Sequence, residues 1–190
     1  MNLKHIAIFA SGQGSNAAKI IEHFNHHAFI KISLIVTNNP KAKIIELAQQ
    51  SGIPFHLTNK EEFFSEPSIV SLLQYHQINF IVLAGFLLKI PASLIQAYSN
   101  QIINIHPALL PKFGGKGMYG IHVHEAVIKA GEKESGITIH YVNEEVDKGN
   151  IIFQEKCNVE VGETAESLSQ KVRELEHMHY SNIIEQCMAQ

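Results

Sequence analysis

The chain has 190 residues and is 45% hydrophobic, which is enough apolar material for the core of one medium-sized domain. Its formal net charge is −3 with neutral histidines, and it has no block of lysine or arginine, which argues against a nucleic-acid or anionic membrane surface. The apolar runs fall short of the roughly 20 residues of a membrane span, and the N-terminus has no signal-peptide pattern. We therefore expect a cytoplasmic protein, either monomeric or homodimeric, that acts on small molecules.

The first half of the sequence alternates apolar runs with amphipathic segments. The runs HIAIFA, IKISLIVT, IPFHL, NFIVLAGF and IINIH predict strands. The segments between them predict helices from about residue 16, at about 42–50, within about 60–76 and after Pro91. Strands that are apolar throughout and are joined by helices are typical of a parallel sheet covered on both faces. We predict an α/β fold with a Rossmann-like, mostly parallel open sheet and helices on both faces.

The second half has a different character. Residues 107–122, PALLPKFGGKGMYGIH, are rich in Gly and Pro and predict a long ordered loop over a site. Two strand-like runs follow, GITIHYV and NIIFQEKCNV, and the acidic turn NEEVDKG joins them. A closing helix is predicted from about Thr164, whose hydroxyl is suited to cap its N-terminus, to near Gln186.

The stretch FASGQGSNAAKII lies where the first predicted strand turns into a helix. Gly12, Gly14 and Ala17 match the G-x-G-x-x-A spelling of a dinucleotide-binding loop. That reading also requires an acidic residue about 20 positions later, but the second strand ends in IVTNNPKAK without Asp or Glu. A phosphate monoester, held by backbone N–H groups with Ser15 and Asn16, fits better. A plain tight turn, with one of these two side chains as the helix cap, stays open.

The run IINIHPALLP places two polar side chains at the end of a buried strand. Asn104 and His106 are two residues apart and therefore project to the same face, at the strand end where α/β sheets bind ligands. The amide can donate to a developing oxyanion, and the imidazole can donate a hydrogen bond or move a proton near neutral pH. A strand-end histidine with ordinary hydrogen bonds, beside an asparagine in a turn, is the alternative.

Asp147 belongs to the acidic turn NEEVDKG, which could simply be solvated. If the turn folds back against His106, the carboxylate would favour the imidazolium and raise the pKa of that histidine. The histidine pairs HVH and HMH could suggest a metal site, but two residues spaced by two on a helix point to different sides. We expect no metal.

The segments SGQGSN, VLAGFLLKI, NIHPALLPKF, GITIHYVNEEVDKGNII and VRELEHMHY, taken together, resemble the phosphoribosylglycinamide formyltransferase family in order along nearly the whole chain. The resemblance implies a single domain over residues 1–190. Residues up to about 100 would form the phosphate-binding and nucleotide-binding half, and residues from about 101 the catalytic and folate-binding half. It also implies transfer of the formyl group of 10-formyltetrahydrofolate to the amine of glycinamide ribonucleotide in purine synthesis.

The resemblance carries over to individual positions. It implies that Asn104, His106 and Asp147 are the catalytic trio, with Asn104 and His106 holding the tetrahedral oxyanion and Asp147 keeping His106 protonated. The positions it implies for the ribonucleotide are Gly14, Ser15 and Asn16 at the 5′-phosphate and Glu176 at the ribose hydroxyls. The positions it implies for the folate are Lys60, Leu87, Leu88, Lys89, Ile90 and Asn104, and His122 would support the site.

The sequence departs from the family pattern at several positions. Leu88 stands where an arginine is common, so the contacts to the folate's glutamate tail are in question. Thr138 stands where serine is commoner but keeps the hydroxyl. The loop KFGGKGMYGIH is longer than in the plain pattern.

Two other functions compete with this interpretation. A formyltetrahydrofolate deformylase would share the trio and use water as acceptor, but that family usually has an N-terminal regulatory domain, and here the phosphate loop begins at once. A non-catalytic nucleotide-binding module would not need the intact trio.

Overall fold

The computed structural model describes residues 3–65 and 68–189. Within these residues the strands are β1 (Lys4–Phe9), β2 (Ile30–Thr37), β3 (Phe55–Leu57), β4 (Phe80–Leu83), β5 (Ile102–His106), β6 (Glu134–Tyr141) and β7 (Ile151–Asn158). The helices are α1 (Ser15–Phe24), α2 (Ile44–Gln50), α3 (Lys60–Phe64), α4 (Ser68–Tyr75), α5 (Ala92–Ala97), α6 (Ile121–Lys129) and α7 (Ala165–Ala189).

The strands form an open, mostly parallel sheet in the order β3-β2-β1-β4-β5-β6-β7. β1 pairs in parallel with β2 and β4, and β2 pairs in parallel with β3. β7 pairs antiparallel with β6. The fold class predicted from the sequence, a Rossmann-like α/β sheet followed by C-terminal strands and a closing helix, is confirmed.

The apolar strands are buried because helices cover the sheet. Ile6, Ala7 and Ile8 of β1 and Ile81 and Val82 of β4 have no exposed surface. Such strands have no solvent face, and their sequences therefore read as unbroken apolar runs rather than as an alternation of polar and apolar residues. The strand bounds agree closely with the predicted ones for this reason.

One predicted helix is divided. The segment within about 60–76 contains α3 and α4, and α3 ends because Ser65 has extended backbone angles, with φ −81° and ψ 127°. Proline occurs at position 67 of the sequence and lacks the N–H that a helix interior requires. The predicted cap of the closing helix is confirmed, since the Thr164 hydroxyl accepts a hydrogen bond from the Ser167 N–H at 3.2 Å.

The chain comprises two compact units. One contains the residues up to Ile103 together with those from Ile184 onward, and the other is Asn104–Ile183. The first unit holds β1–β4, and the second holds β6, β7, α6 and most of α7. The single domain over 1–190, with halves that meet at about residue 100, stays a prediction. No helix in the described ranges combines the length and the apolar character that crossing a membrane requires.

Candidate active site

The loop between β1 and α1 leaves the start of the helix without a side-chain cap. Gly14 is the N-cap residue, with a left-handed φ of 76°, and neither a side-chain cap hydrogen bond nor an acidic residue occurs in the first turn of α1. The alternative in which Ser15 or Asn16 serves as the N-cap is therefore wrong. A helix N-terminus without a side-chain cap or an acidic residue is an arrangement that can bind an anion.

Gly14 is required at its position for two reasons. Its φ lies in the region that side chains rarely adopt. A Cβ placed there would also lie 3.2 Å from Cδ1 of Ile44, the first residue of α2. The second glycine of the fingerprint thus allows α2 to pack closely against the loop.

Ser11 joins this loop to the segment that follows β4. The Ser11 N–H donates to the Gly85 carbonyl at 3.0 Å, and the Ser11 hydroxyl accepts from the Leu87 N–H at 3.0 Å. The hydroxyl donates to Oδ1 of Asn38, and the Asn39 amide donates to the Ser11 carbonyl at 2.9 Å. Within the first unit, the predicted phosphate loop and the predicted folate segment are therefore held together by one buried serine.

The predicted folate segment is partly core and partly surface. Ile90 is buried and belongs to the core, whereas Leu87 is 60% exposed. Leu88 is half-buried and Lys89 is exposed. Lys60, the other predicted basic residue, is the exposed first residue of α3. Leu87 and Lys89 can therefore contact a ligand, while Ile90 mainly supports the segment.

The second unit brings Asn104, His106 and Asp147 together. Asn104 and His106 lie at the end of β5, and Asp147 lies in the turn between β6 and β7 with a left-handed φ of 58°. The His106 Nδ1 is 3.6 Å from the Asp147 Oδ2. The turn therefore folds back against the strand end, as the sequence interpretation requires, although nothing in the sequence itself fixes that contact.

Both ring nitrogens of His106 face acceptors. Nε2 donates to the Phe113 carbonyl at 2.8 Å, and Nδ1 faces the Asp147 carboxylate. Burial lowers the pKa of His106 more than Asp147 and the Phe113 carbonyl raise it, so its pKa lies below the ordinary value. The expected raised pKa is wrong in its net direction, because the ring is only 3% exposed and the charged form loses its hydration.

Asp147 is held as a carboxylate. Burial raises its pKa, but the neighbouring imidazoles of His140 and His106 and the Gly115 N–H lower it, and the net pKa lies below the ordinary value. The Gly115 N–H donates to Asp147 Oδ2 at 2.8 Å. The positive φ of Asp147 is a conformation that Asp and Asn tolerate better than most residues.

His140 is a further member of this cluster that the sequence interpretation missed. It lies on β6 and is 2% exposed, and its Nε2 accepts a hydrogen bond from the amide nitrogen of Asn104 at 3.2 Å. Its Nδ1 is 2.8 Å from the Tyr141 carbonyl, and its Nε2 is 3.7 Å from Asp147 Oδ1. The available signal was a lone histidine in the apolar run GITIHYV, close in sequence to Asp147.

Gly149 allows the turn to close behind His140. A Cβ at Gly149 would lie 1.7 Å from the Tyr141 carbonyl oxygen, which is an impossible contact, and 3.5 Å from His140 Nδ1. The pattern Asp-x-Gly thus has a physical basis. The aspartate supplies the carboxylate, and the glycine lets the backbone after it pass against the end of β6.

The loop after β5 is fixed to the same unit by buried polar groups. Thr138 donates to the Ala108 carbonyl at 2.6 Å and accepts from the Leu110 N–H at 3.0 Å. Gln154 donates to the Thr138 hydroxyl at 2.8 Å and to the Leu110 carbonyl at 3.0 Å. The bond between Leu110 and Pro111 is cis. These contacts hold the start of the segment that carries the Phe113 carbonyl to His106.

Comparison with known proteins identifies the family. Residues 4–184 match the family described as Formyl transferase. The chain belongs to this family. It is 42% identical over 187 residues to the chloroplastic phosphoribosylglycinamide formyltransferase of Arabidopsis thaliana, covering 95% of the chain and 64% of that relative. It is 37% identical over 193 residues to phosphoribosylglycinamide formyltransferase of Bacillus subtilis (strain 168), covering 98% of the chain and 95% of that relative.

The fold of this formyl transferase chain is shared with solved structures. The crystal structure of phosphoribosylglycinamide formyltransferase from Bacillus halodurans matches with a TM-score of 0.88 and 36% sequence identity. The match covers 98% of the chain and 96% of that structure. The chain spans less than two thirds of the length of the plant relatives, 64% for the Arabidopsis protein and 60% for the one from Vigna unguiculata.

The remaining residues predicted from the formyl transferase resemblance lie on helices of the second unit. His122 is exposed on α6, with Nδ1 3.0 Å from Glu125 Oε2. Glu176 is half-buried on α7. His124, two residues after His122, is buried instead. Burial and the charges of Arg173 and His106 lower its pKa. The two histidines of HVH therefore lie in different environments, as their helical spacing predicts.

A metal site is not seen in the part of the chain that the structure describes. Across residues 3–65 and 68–189, no group of three or more His, Cys, Asp or Glu side chains is placed to hold a metal ion.

Proposed function

We propose that this chain transfers the formyl group of 10-formyltetrahydrofolate to the amine of 5′-phosphoribosylglycinamide. The observation that carries the proposal is the cluster in which buried His106 faces the Asp147 carboxylate, while half-buried Asn104, two residues earlier on β5, contacts buried His140. Membership of the formyl transferase family and the names of the relatives support the choice of reaction.

The reaction replaces one carbon–nitrogen bond by another. The glycinamide nitrogen attacks the formyl carbon, and the formyl oxygen becomes negative while a tetrahedral carbon forms. The bond from that carbon to N10 of the folate then breaks, the attacking amine loses a proton and N10 gains one. The protein must therefore stabilise one oxyanion and move one proton.

Asn104 and His106 are the donors proposed for these two tasks. The Asn104 amide donates an N–H to the formyl oxygen. His106 donates its proton from Nε2 when that N–H exchanges the Phe113 carbonyl for the substrate. The protonated ring is the form in which both nitrogens satisfy the acceptors that face them, and Asp147 supports this form electrostatically.

The substrate positions follow the family resemblance. We assign the 5′-phosphate of the ribonucleotide to Gly14, Ser15 and Asn16, where the start of α1 has no side-chain cap. Glu176 is assigned to the ribose hydroxyls, and His122 is given a supporting role.

The folate is assigned to the segment after β4. Leu87, which is exposed, and Leu88, which is half-buried, supply apolar contact, while Ile90 holds the segment in the core. The backbone at Leu87 is positioned by Ser11, whose hydroxyl accepts from the Leu87 N–H. Because Leu88 carries no charge, we assign the glutamate tail to the exposed cations Lys89 and Lys60.

The test follows the loss of the formyl group from 10-formyltetrahydrofolate spectroscopically, with and without glycinamide ribonucleotide. The variants are His106→Ala and a matched control, His26→Ala, which removes an exposed histidine of the first unit. We expect turnover that requires the ribonucleotide, falls by at least about 100-fold in His106→Ala and is unchanged in the control.

Other outcomes contradict the proposal in different ways. Turnover without the ribonucleotide would identify a deformylase that uses water as acceptor. No turnover of either kind by the wild-type chain would leave a nucleotide-binding module. Oligomeric state and cytoplasmic location stay predictions.

A further inference from the structure

His140 has a set of contacts that the proposed trio does not explain. The side chain is 2% exposed and lies among Asn104, Asp147 and the Tyr141 carbonyl. A buried imidazole at such a place either fills space or fixes the direction of a neighbour's hydrogen bonds. The partners of its two nitrogens distinguish these possibilities.

The Tyr141 carbonyl fixes the tautomer of the neutral ring. It is only an acceptor, so the Nδ1 of His140, 2.8 Å away, must carry the hydrogen. A neutral ring with hydrogen on Nδ1 has a lone pair on Nε2. Nε2 is therefore an acceptor in this state.

The tautomer in turn fixes the amide of Asn104. Its Nδ2 lies 3.2 Å from His140 Nε2 and donates one of its two hydrogens there. The opposite amide orientation would place Oδ1 against the Nε2 lone pair, and two acceptors repel. One N–H of Asn104 is thus used for alignment, and the second remains to donate elsewhere.

We propose that His140 is a positioning residue that holds the Asn104 amide with its second N–H directed at the formyl oxygen. The inference rests on the proposed function, because the direction of that N–H matters only if an oxyanion forms there. A preorganised donor costs no reorientation when the charge develops, and loss of one oxyanion donor typically lowers kcat about 100-fold to 1,000-fold.

The surrounding backbone supports the tautomer. Gly149 passes so close to the Tyr141 carbonyl that a Cβ there would overlap its oxygen, which leaves that carbonyl little freedom to move. Asp147 Oδ1 lies 3.7 Å from the same Nε2 of His140 and competes with Asn104 only for a ring that carries a second proton. In the neutral ring, Nε2 therefore accepts its hydrogen bond from Asn104.

The first arm of the test compares His140→Asn with His140→Gln. Asparagine places its amide near the position of Nδ1 and keeps the donor to Tyr141, but it does not reach Asn104. Glutamine extends to the position of Nε2 and offers an oxygen that accepts from Asn104. We expect kcat to fall about 100-fold in His140→Asn and less than about tenfold in His140→Gln, with KM for both substrates changed less than about threefold.

The second arm reads the tautomer directly in the wild-type chain, so it does not depend on a variant that folds. Nitrogen-15 NMR correlations, assigned through bonds, should show that the His140 ring carries its hydrogen on Nδ1 and has a lone pair on Nε2. A ring with hydrogen on Nε2, a doubly protonated ring, or equal kcat values for the two variants would overturn the proposal. Absence of formyl transfer by the wild type would instead contradict the proposed function, whatever the tautomer.

Discussion

Two opposing effects meet at His106. Burial penalises the charged ring, while Asp147 and the Phe113 carbonyl favour it, and burial has the larger effect on its pKa. A developing negative charge on the formyl oxygen would act in the same direction as Asp147. The proton on His106 is therefore held loosely enough to be given up, and Asp147 extends to higher pH the range in which it is present.

Asp147→Asn tests how much the negative charge of Asp147 contributes to the pKa of His106. Asparagine tolerates the positive φ at this position, and its carbonyl can still accept from the Gly115 N–H. Removal of the carboxylate should lower the pKa of His106 further. Because the proposed active form is the protonated ring, activity falls as the pH rises through this pKa, and the fall should move to lower pH. The measurements are kcat/KM against pH and an NMR titration of His106.

The control for this substitution is Glu145→Gln, which removes an exposed negative charge from the same turn. It should leave the profile in place, since the exposed carboxylate is screened by water and salt. A profile that is the same in Asp147→Asn as in the wild type would remove Asp147 from the mechanism.

At the scale of elements, β6 does more than extend the sheet. Thr138 and His140 are two residues apart and serve different segments: Thr138 fixes the start of the loop after β5, and His140 contacts the end of that strand. One strand thus aligns both the polar strand end and the loop whose carbonyl reaches His106.

Thr138→Val should separate the contribution of the hydroxyl to stability from the contribution of the side chain's packing. Valine has nearly the same volume but leaves the Ala108 carbonyl, the Leu110 N–H and Gln154 without that partner, and Thr138 is fully buried. We expect the free energy of unfolding to fall by about 1–3 kcal/mol, as for other buried polar groups left unpaired. Urea unfolding monitored by circular dichroism measures this change.

Thr138→Ser is the matched comparison, since it keeps the hydroxyl and loses one methyl group. It should be more stable than Thr138→Val, in agreement with the expectation from the sequence that serine and threonine both serve here. Equal stability of the two variants would mean that the hydrogen bonds of Thr138 contribute little.

The sequence predicted the elements well because their signals are local. Apolar runs gave the strands, and the loop glycines and the strand-end pair Asn104 and His106 gave the candidate site. The division of α3 from α4 was missed, although the proline between them was a usable signal.

Contacts that depend on strand register could not be predicted. Ser11 forms a hydrogen bond with Leu87, which is 76 residues away in the sequence, and Asn104 forms one with His140, which is 36 residues away. No single sequence contains the alignment of the strands that makes these pairs. The net pKa direction of His106 was missed for a related reason, because it depends on how completely the folded chain removes water from the ring.

At the scale of the whole molecule, buried histidines couple stability to pH. His124 is 3% exposed, and burial together with the positive charges of Arg173 and His106 lowers its pKa from 6.5 to about 4. In the unfolded chain the same residue takes up its proton near the ordinary pKa. The unfolded state therefore binds more protons between these two values, and acid favours unfolding.

This linkage predicts the acid stability of the chain. The contribution of His124 is fully present above pH 6.5, declines as the pH falls and is lost at about pH 4, amounting to about 3 kcal/mol in the free energy of unfolding. His124→Gln carries no titrating group, so its stability should fall less between pH 7 and pH 4 than that of the wild type. His26→Gln, which changes an exposed histidine, should follow the wild-type curve.

Urea unfolding at several pH values between 7 and 4 measures the difference, and the slope of the transition shows whether unfolding stays two-state. The decisive comparison is how steeply the free energy of unfolding of each variant changes with pH. Its value at pH 7 does not decide, because His124→Gln is expected to be less stable than the wild type at pH 7 from lost packing alone. If the wild-type and His124→Gln curves run parallel, His124 is protonated in the folded chain at the same pH as in the unfolded one. In that case another buried group, such as His106 with its own lowered pKa, must account for any acid instability.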